Sequence, residues 1–105
     1  MMKYDKEEFK EVLEPHHRTY WKIAYTKLQR KMQSLKSSLK KRSEISEVLF
    51  DISMDDLRKM FYRKYGKPCR YCKRKMTIRN MVCDHIIPLA KGGDSVIDNL
   101  QLICK

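Results

Sequence analysis

The sequence predicts an α+β fold in which helices come first and short strands follow. Between residues 16 and 39, apolar side chains recur at spacings of three and four, which is the period of an amphipathic helix. A second helical pattern starts after Ser53 and stops at Gly66. Two short, largely apolar runs follow at residues 81–86 and 100–103, and their length is typical of strands.

A shorter helix is expected over residues 5–13, with Phe9, Val12 and Leu13 on one side. Pro15 would end this helix or begin the next one, because proline fits the first turn of a helix and not its interior.

The predicted long helix carries positive charge outside its apolar stripe. We expect residues 37–38 and 40–43 to be its frayed end and a linker. The apolar stripe consists of Trp21, Ala24, Tyr25, Leu28, Met32, Leu35 and Leu39. The basic residues are Arg18, Lys22, Lys27, Arg30, Lys31 and Lys36.

The segment that precedes the second helix is short and apolar, and residues 44–51 fit either a helical turn or a short strand. Ser53 and Asp56 then form a start signal that resembles a capping box, with Asp in place of the usual Glu.

Beyond Gly66, residues 67–72 are expected to form a turn of the zinc-knuckle type. Residues 75–78 and 81–86 predict a hairpin about Arg79 and Asn80, and residues 88–94 predict a loop.

The charge of the chain points to a polyanionic partner. The net charge is +11 over 105 residues. Residues 15–43 contain nine Lys or Arg and no acid, and residues 57–83 contain ten and again no acid. Blocks of this kind favour contact with nucleic acid, and the alternative is that the charge only keeps a basic helix solvated.

Composition also limits where the protein acts. No apolar run approaches the ~18 residues that span a bilayer, so no membrane partner is expected. Residues 1–13 are studded with charge, unlike a secretory signal, so the expected location is the cytoplasm. In a reducing compartment, four cysteines indicate metal binding more than disulfides.

Asp84 and His85 carry the strongest chemical signal. Cleavage of a phosphodiester requires an activated water and neutralisation of the charge on phosphorus. A histidine can take the proton from water, and a carboxylate beside it can hold a hard divalent metal ion. Neighbours on a strand point to opposite faces, so both serve one site only where the strand ends or twists. Asn99 could then hydrogen-bond the imidazole and fix its tautomer.

This pattern resembles the HNH endonuclease family, of phage or mobile-element type. The matching motifs lie within residues 67–105, a little over a third of the chain. They are Cys69-x-x-Cys72, Asp84-His85-Ile86-Ile87-Pro88-Leu89-x-x-Gly92-Gly93 and Asn99-Leu100-Gln101-Leu102-x-Cys104. The resemblance implies a ββα-metal finger that hydrolyses DNA with a divalent ion such as Mg²⁺. It makes His85 the general base, Asp84 the ligand of the catalytic ion and Asn99 the residue that positions the base.

The resemblance also implies a structural Zn²⁺ held by cysteines, here Cys69, Cys72 and Cys104. Cys83 is expected to be a core residue, although a tetrahedral zinc site needs four ligands and Cys83 remains a candidate for the fourth.

The sequence departs from the family pattern at its end. Family members continue beyond the equivalent of Cys104 with a helix that carries the fourth zinc cysteine and the final metal ligand, whereas this sequence ends at Lys105. We therefore expect an α+β chain with a basic helical arm over residues 1–52 and an HNH-type domain, incomplete at its C-terminus and lacking the final helix, over residues 53–105. The expected outcome is weak or absent cleavage, and the alternative is a non-catalytic zinc-dependent DNA-binding module or an inactive fragment.

The expected contacts of the basic surface are with the DNA backbone and not with base edges. The candidate residues are Arg30, Lys31, Arg70, Lys73, Arg74 and Lys91.

Overall fold

The computed structural model describes residues 4–105, in which three helices precede and surround four short strands. The α+β class with a long N-terminal helix followed by strands is confirmed. The helices are α1 (Lys6–His17), α2 (Trp21–Ile45) and α3 (Met54–Lys64). The strands are β1 (Phe50–Asp51), β2 (Met81–His85), β3 (Ser95–Val96) and β4 (Leu100–Cys104). Short 3₁₀ turns occupy Arg18–Tyr20, Leu89–Lys91 and Ile97–Asn99.

The first helix is capped as its sequence suggests but continues beyond Pro15. The Asp5 carboxylate accepts a hydrogen bond from the backbone N–H of Glu8 at 3.1 Å. Phe9 and Leu13 are buried. The expectation that Pro15 ends the helix or begins the next one is wrong, because Pro15 lies in the last turn of α1, where it removes only one intrahelical hydrogen bond.

The second helix buries the predicted stripe and is longer than predicted. Within it, Trp21, Ala24, Leu28, Met32 and Leu39 are buried. The expectation of a linker within residues 37–43 is wrong, since α2 runs to Ile45. Ser43 explains the extension, because it is fully buried four residues after Leu39 and continues the apolar side of the helix.

The third helix has the predicted cap. The Ser53 hydroxyl accepts from the backbone N–H of Asp56 at 3.1 Å, and the Asp56 carboxylate accepts from the backbone N–H of Ser53 at 3.2 Å. Gly66 follows the helix with φ 74°, a left-handed conformation that favours glycine. The capping box and the stop at Gly66 are therefore confirmed.

The strands form two separate pairs. In one pair β1 lies parallel to β3, with Phe50 opposite Ser95, so the final residues of the ambiguous segment 44–51 are a strand. In the other, β2 is antiparallel to β4, with Asp84 opposite Gln101 and His85 opposite Leu100.

The predicted hairpin about Arg79 and Asn80 is wrong. The Asn80 carboxamide accepts from the backbone N–H of Thr77 at 2.8 Å, and this contact closes a turn instead of a ladder. Lys75 forms an isolated bridge with Pro68, so the partner of β2 comes from residues 100–104. The strand predicted at residues 100–103 is confirmed.

One apolar core joins the helices to the β2–β4 pair. Leu28 and Met32 of α2 and Phe61 of α3 are buried with Met81 and Leu102 of the two strands. This core joins α2 and α3 to the strand pair whose β2 carries Asp84 and His85. Within residues 4–105, no helix has the length and apolar character needed to cross a membrane.

A polar contact links the end of α1 to the segment after α3. The Tyr65 hydroxyl forms a hydrogen bond with Nε2 of His17 and accepts from the backbone N–H of Ile78 at 3.2 Å. Burial, together with the charges of His16 and Arg79, lowers the pKa of His17 below its ordinary value of 6.5.

The His17 contact predicts a fold that weakens in mild acid. The lowered pKa means that the unfolded chain binds the proton more readily, so this contribution to stability is present above ~pH 6.5 and is lost as the pH falls through the folded pKa. In urea unfolding, we expect the loss of stability between about pH 7.5 and about pH 5.5 to be smaller in His17→Gln than in wild type. Equal losses in the two proteins would contradict this role.

Candidate active site

His85 is the last residue of β2, and its side chain turns into the protein. The residue is 8% exposed, and Nε2 of its imidazole lies 2.9 Å from Oγ of Ser95 on β3. Asp84 precedes it on the strand and is exposed. The Asp84 carboxylate accepts from the backbone N–H of His85 at 2.9 Å. The strand end therefore presents a buried imidazole and an exposed carboxylate on adjacent residues.

The surroundings of His85 favour its neutral form. Burial lowers the pKa of the imidazole below the ordinary value of 6.5, the positive charge of Arg42 lowers it further, and the Asp84 carboxylate opposes both. A neutral imidazole is the form that accepts a proton from water.

The second ring nitrogen of His85 is not fully shielded from solvent. Within residues 4–105, every buried side-chain nitrogen or oxygen atom has a hydrogen-bond partner. Within that range the His85 ring forms its hydrogen bond through Nε2 alone, so Nδ1 retains some accessible surface. A water molecule could therefore reach Nδ1.

Asn99 fastens the loop that follows the strand. Its side-chain carbonyl accepts from the backbone N–H of Ile87 at 2.8 Å. Its side-chain amide donates to the backbone carbonyls of Ile87, at 3.1 Å, and of Asp94, at 2.8 Å. We expected Asn99 to bond the imidazole, but in the structure Ser95 does so. Asn99 instead holds the backbone on either side of the loop, because its carboxamide carries both a donor and an acceptor.

Gly93 allows this loop to close tightly. A Cβ atom at this position would lie 1.8 Å from the backbone oxygen of Ile87, so no other residue fits without moving the chain. Gly92 differs, since a Cβ there would meet open space but its φ of 83° is left-handed. The glycine pair thus meets two separate requirements, contact at Gly93 and conformation at Gly92.

Three cysteines meet at the other end of the β2–β4 pair. Sulfur atoms of Cys69, Cys72 and Cys104 lie within 4.8 Å of one another, close to the ~3.8 Å spacing of sulfurs about a tetrahedral metal ion. Sγ of Cys69 accepts from the backbone N–H groups of Tyr71, at 3.4 Å, and of Cys104, at 3.3 Å.

Thiolate character is concentrated on Cys69. The backbone N–H groups of Cys104, Cys72 and Tyr71 lower the pKa of the Cys69 thiol to about 6. Hydrogen bonds that the Cys104 thiol donates to Cys72 and Cys69 raise the pKa of Cys104 to about 12. A metal ion would displace the thiol protons of the cluster, so these three sulfurs could hold one.

Cys83 is separate from this cluster. It is half-buried, and its side chain packs against the apolar core. Burial raises the pKa of its thiol to about 12. Within residues 4–105, the cysteine cluster has three members and Cys83 is not one of them. This agrees with the expectation that Cys83 is a core residue.

Comparison with protein families agrees with the resemblance inferred from the sequence motifs. Residues 69–105 match the model of the HNH endonuclease family. These residues form an HNH endonuclease domain. No curated protein and no solved structure matches the chain.

The HNH segment contains every motif residue named above, and the structure separates them into two groups. Asp84, His85 and Asn99 lie where β2 ends and the Ile97–Asn99 turn leads into β4, whereas the three cysteines lie where the β4 strand ends.

The predicted DNA-binding residues differ in how accessible their side chains are for contact with DNA. Lys31 is half-buried, its Nζ donates to the backbone carbonyl of Ile78 at 3.2 Å, and burial with the nearby Lys105 lowers the pKa of its amine. Arg70 bonds Gln101 at 3.0 Å and is exposed. The other candidates, all exposed, are Arg30, Lys73, Arg74 and Lys91.

The sequence reasoning missed Ser43 and Ser95, the two buried serines beside His85. Ser43 carried a usable signal, because it follows Leu39 by four residues on the apolar stripe. Ser95 carried none, because a serine two residues after Gly93 looks like any polar loop residue.

Replacing either loop glycine with alanine should reduce the free energy of unfolding, but by different amounts. Gly92→Ala should cost about 1–2 kcal/mol of unfolding free energy through its left-handed backbone. Gly93→Ala should cost more, because the added methyl group must displace the Ile87 carbonyl that Asn99 holds. Urea unfolding of the two variants makes the comparison, and a Gly93→Ala penalty no larger than that of Gly92→Ala would refute the packing argument.

The cysteines predict an order of alkylation. At about pH 7.5, iodoacetamide should label the exposed Cys72 at least about tenfold faster than Cys83, whose thiol is half-buried and has a raised pKa. Adding Zn²⁺ should slow labelling of Cys72 and leave that of Cys83 unchanged. Peptide mass spectrometry gives both rates, and protection of Cys83 by Zn²⁺ would place it among the ligands.

Proposed function

We propose that the chain is a DNA endonuclease that hydrolyses phosphodiester bonds with His85 as general base. The observation that carries this proposal is the placement of a buried imidazole, with a lowered pKa and an Nδ1 that makes no hydrogen bond within residues 4–105, directly after an exposed carboxylate. The match of residues 69–105 to the HNH family supports it. In this proposal residues 53–105 are the nuclease domain and residues 1–52 are a basic helical arm.

In the proposed reaction, His85 takes a proton from the attacking water at Nδ1. Asp84 provides an exposed carboxylate that can hold a divalent ion such as Mg²⁺, since hard ions prefer oxygen ligands. When bound, the ion supplies Lewis-acid neutralisation of charge on the phosphate. Asn99 holds the loop that follows His85 closed and thereby keeps the imidazole in position for this proton transfer.

The cysteine cluster is proposed to hold a structural Zn²⁺ and not the catalytic ion. Its donors are soft sulfur atoms, which favour zinc over Mg²⁺. Cys69 and Cys72 lie on the turn after α3, and Cys104 lies at the end of β4. An ion here would fasten that turn to the strand pair.

DNA is the proposed partner because a groove of positive charge lies beside the site. The groove, of about 710 Å³, runs between α2 and β2 and reaches Cys83, two residues from His85. Its cationic lining comprises Lys31, Lys41 and Arg42. Contacts of this surface with phosphates would position the duplex without reading its sequence. The proposed location is the cytoplasm, where such a DNA substrate is accessible.

Replacing the proposed base should remove cleavage and spare binding. His85→Ala is expected to lower the cleavage rate by about 10²–10⁴-fold, the usual contribution of a general base, with DNA affinity within about twofold of wild type. His16→Ala, which removes an exposed histidine of α1, is the matched control and should cut at the wild-type rate. Plasmid cleavage and a binding titration with Mg²⁺ replaced by Ca²⁺ measure the two properties.

The outcomes separate the candidate functions. A His85→Ala protein that cuts like wild type would refute the proposal. A wild-type protein that binds DNA tightly but does not cut would instead favour the zinc-dependent DNA-binding module.

The basic surface predicts strong salt dependence. If about six of its charges meet phosphates, the affinity for DNA should fall by about 10³ between about 50 and about 200 mM salt. Fluorescence anisotropy with a labelled duplex measures this slope. A flat response would contradict backbone contact.

A further inference from the structure

Two buried serines connect the imidazole of His85 to helix α2. Ser43 of α2 and Ser95 of β3 are both 0% exposed, and their Oγ atoms lie 2.5 Å apart. Oγ of Ser95 is also 2.9 Å from Nε2 of His85, and Oγ of Ser43 is 2.6 Å from the backbone oxygen of Leu39. The four groups form one continuous buried chain of hydrogen bonds.

The carbonyl at the end of this chain sets the direction of every bond in it. A carbonyl has no proton, so two oxygens 2.6 Å apart require the Ser43 hydroxyl to donate to Leu39. The single proton of Ser43 is then committed, and the contact with Ser95 must use the proton of Ser95. Ser95 therefore has only acceptor capacity left for the imidazole, and Nε2 of His85 must carry a proton.

We infer that Ser95 and Ser43 are positioning residues that hold His85 in the tautomer with its proton on Nε2. This leaves Nδ1 unprotonated, and Nδ1 is the nitrogen that reaches solvent. The chain of hydrogen bonds thus fixes both the orientation of the ring and the nitrogen that acts as base. The catalytic consequence rests on the proposed nuclease function, whereas the tautomer does not.

Helix α2 thereby contributes a residue to the site. Ser43 lies outside residues 69–105, which match the HNH family. Its Oγ nevertheless accepts the hydrogen bond from Ser95, and this leaves Ser95 as an acceptor for His85. Reversal of the chain is blocked at its α2 end, because a peptide carbonyl cannot donate. The helix that carries the basic surface therefore also directs the proton on His85.

Nuclear magnetic resonance of ¹⁵N-histidine protein without added metal tests the tautomer. The chain has three histidines, so His16→Gln and His17→Gln assign the remaining imidazole signals to His85. At about pH 8 we expect wild type to show His85 protonated at Nε2 only, with slow exchange of that proton. Ser95→Ala should show both tautomers and at least about tenfold faster exchange, and Ser43→Ala should also exchange faster. Ser37→Ala, an exposed serine of α2, is the matched control and should resemble wild type.

The wild-type spectrum alone identifies the tautomer of His85, even if a variant fails to fold. A proton on Nδ1 in wild type would overturn the inference, as would a folded Ser95→Ala protein with an unchanged tautomer and exchange rate. For cleavage, Ser95→Ala should lower kcat about 10- to 100-fold with KM nearly constant, and Ser95→Thr, which restores the hydroxyl, should recover most of it. A protein with the expected tautomer but no cleavage would refute the nuclease function alone.

Discussion

The hydrogen bond between Ser43 and Ser95 is the contact on which the arrangement of the site depends. It joins α2 to β3 in the interior, where an unpaired hydroxyl would cost about 1–3 kcal/mol. A buried imidazole needs a partner for the same reason, and Ser95 supplies it. Residues of α2 and of the β2–β4 pair also belong to one apolar core, so the helix and the strand end are joined by both polar and apolar contacts.

The loop after β2 is held from the other side by Asn99. Its carboxamide bonds the backbone at Ile87 and Asp94, and Gly93 gives the close approach that those bonds require. The Asp94 carboxylate in turn accepts from the backbone N–H of Leu49, and Ser95 N–H donates to the Leu49 carbonyl at 2.8 Å. The loop is thus tied to Asn99, in the turn before β4, and to the segment before β1.

The sequence predicted the parts of this protein that depend on local chemistry. The apolar stripe from Trp21 to Leu39 and the capping box at Ser53 follow from helical spacing and side-chain hydrogen bonding, and both are present. The match at residues 69–105 confirms the resemblance read from the motifs.

Features that depend on contacts between distant residues could not be read from sequence. The pairing of β2 with β4 replaces the expected local hairpin, because the apolar faces of Met81 and Leu102 meet in the core. The partner of the His85 imidazole is Ser95, ten residues away in sequence. The hydrogen bond that orients the Ser95 hydroxyl is made with Ser43, fifty-two residues earlier. The roles assigned to Asp84, His85 and Asn99 remain predictions.

A double-mutant cycle between Ser43 and Ser95 tests most directly whether α2 and the site are coupled through this buried contact. Urea unfolding of wild type, Ser43→Ala, Ser95→Ala and the double variant gives the coupling free energy. We expect a value of about 1 kcal/mol or more, because each single substitution leaves a buried partner unsatisfied. Additive penalties, with a coupling energy near zero, would contradict the account.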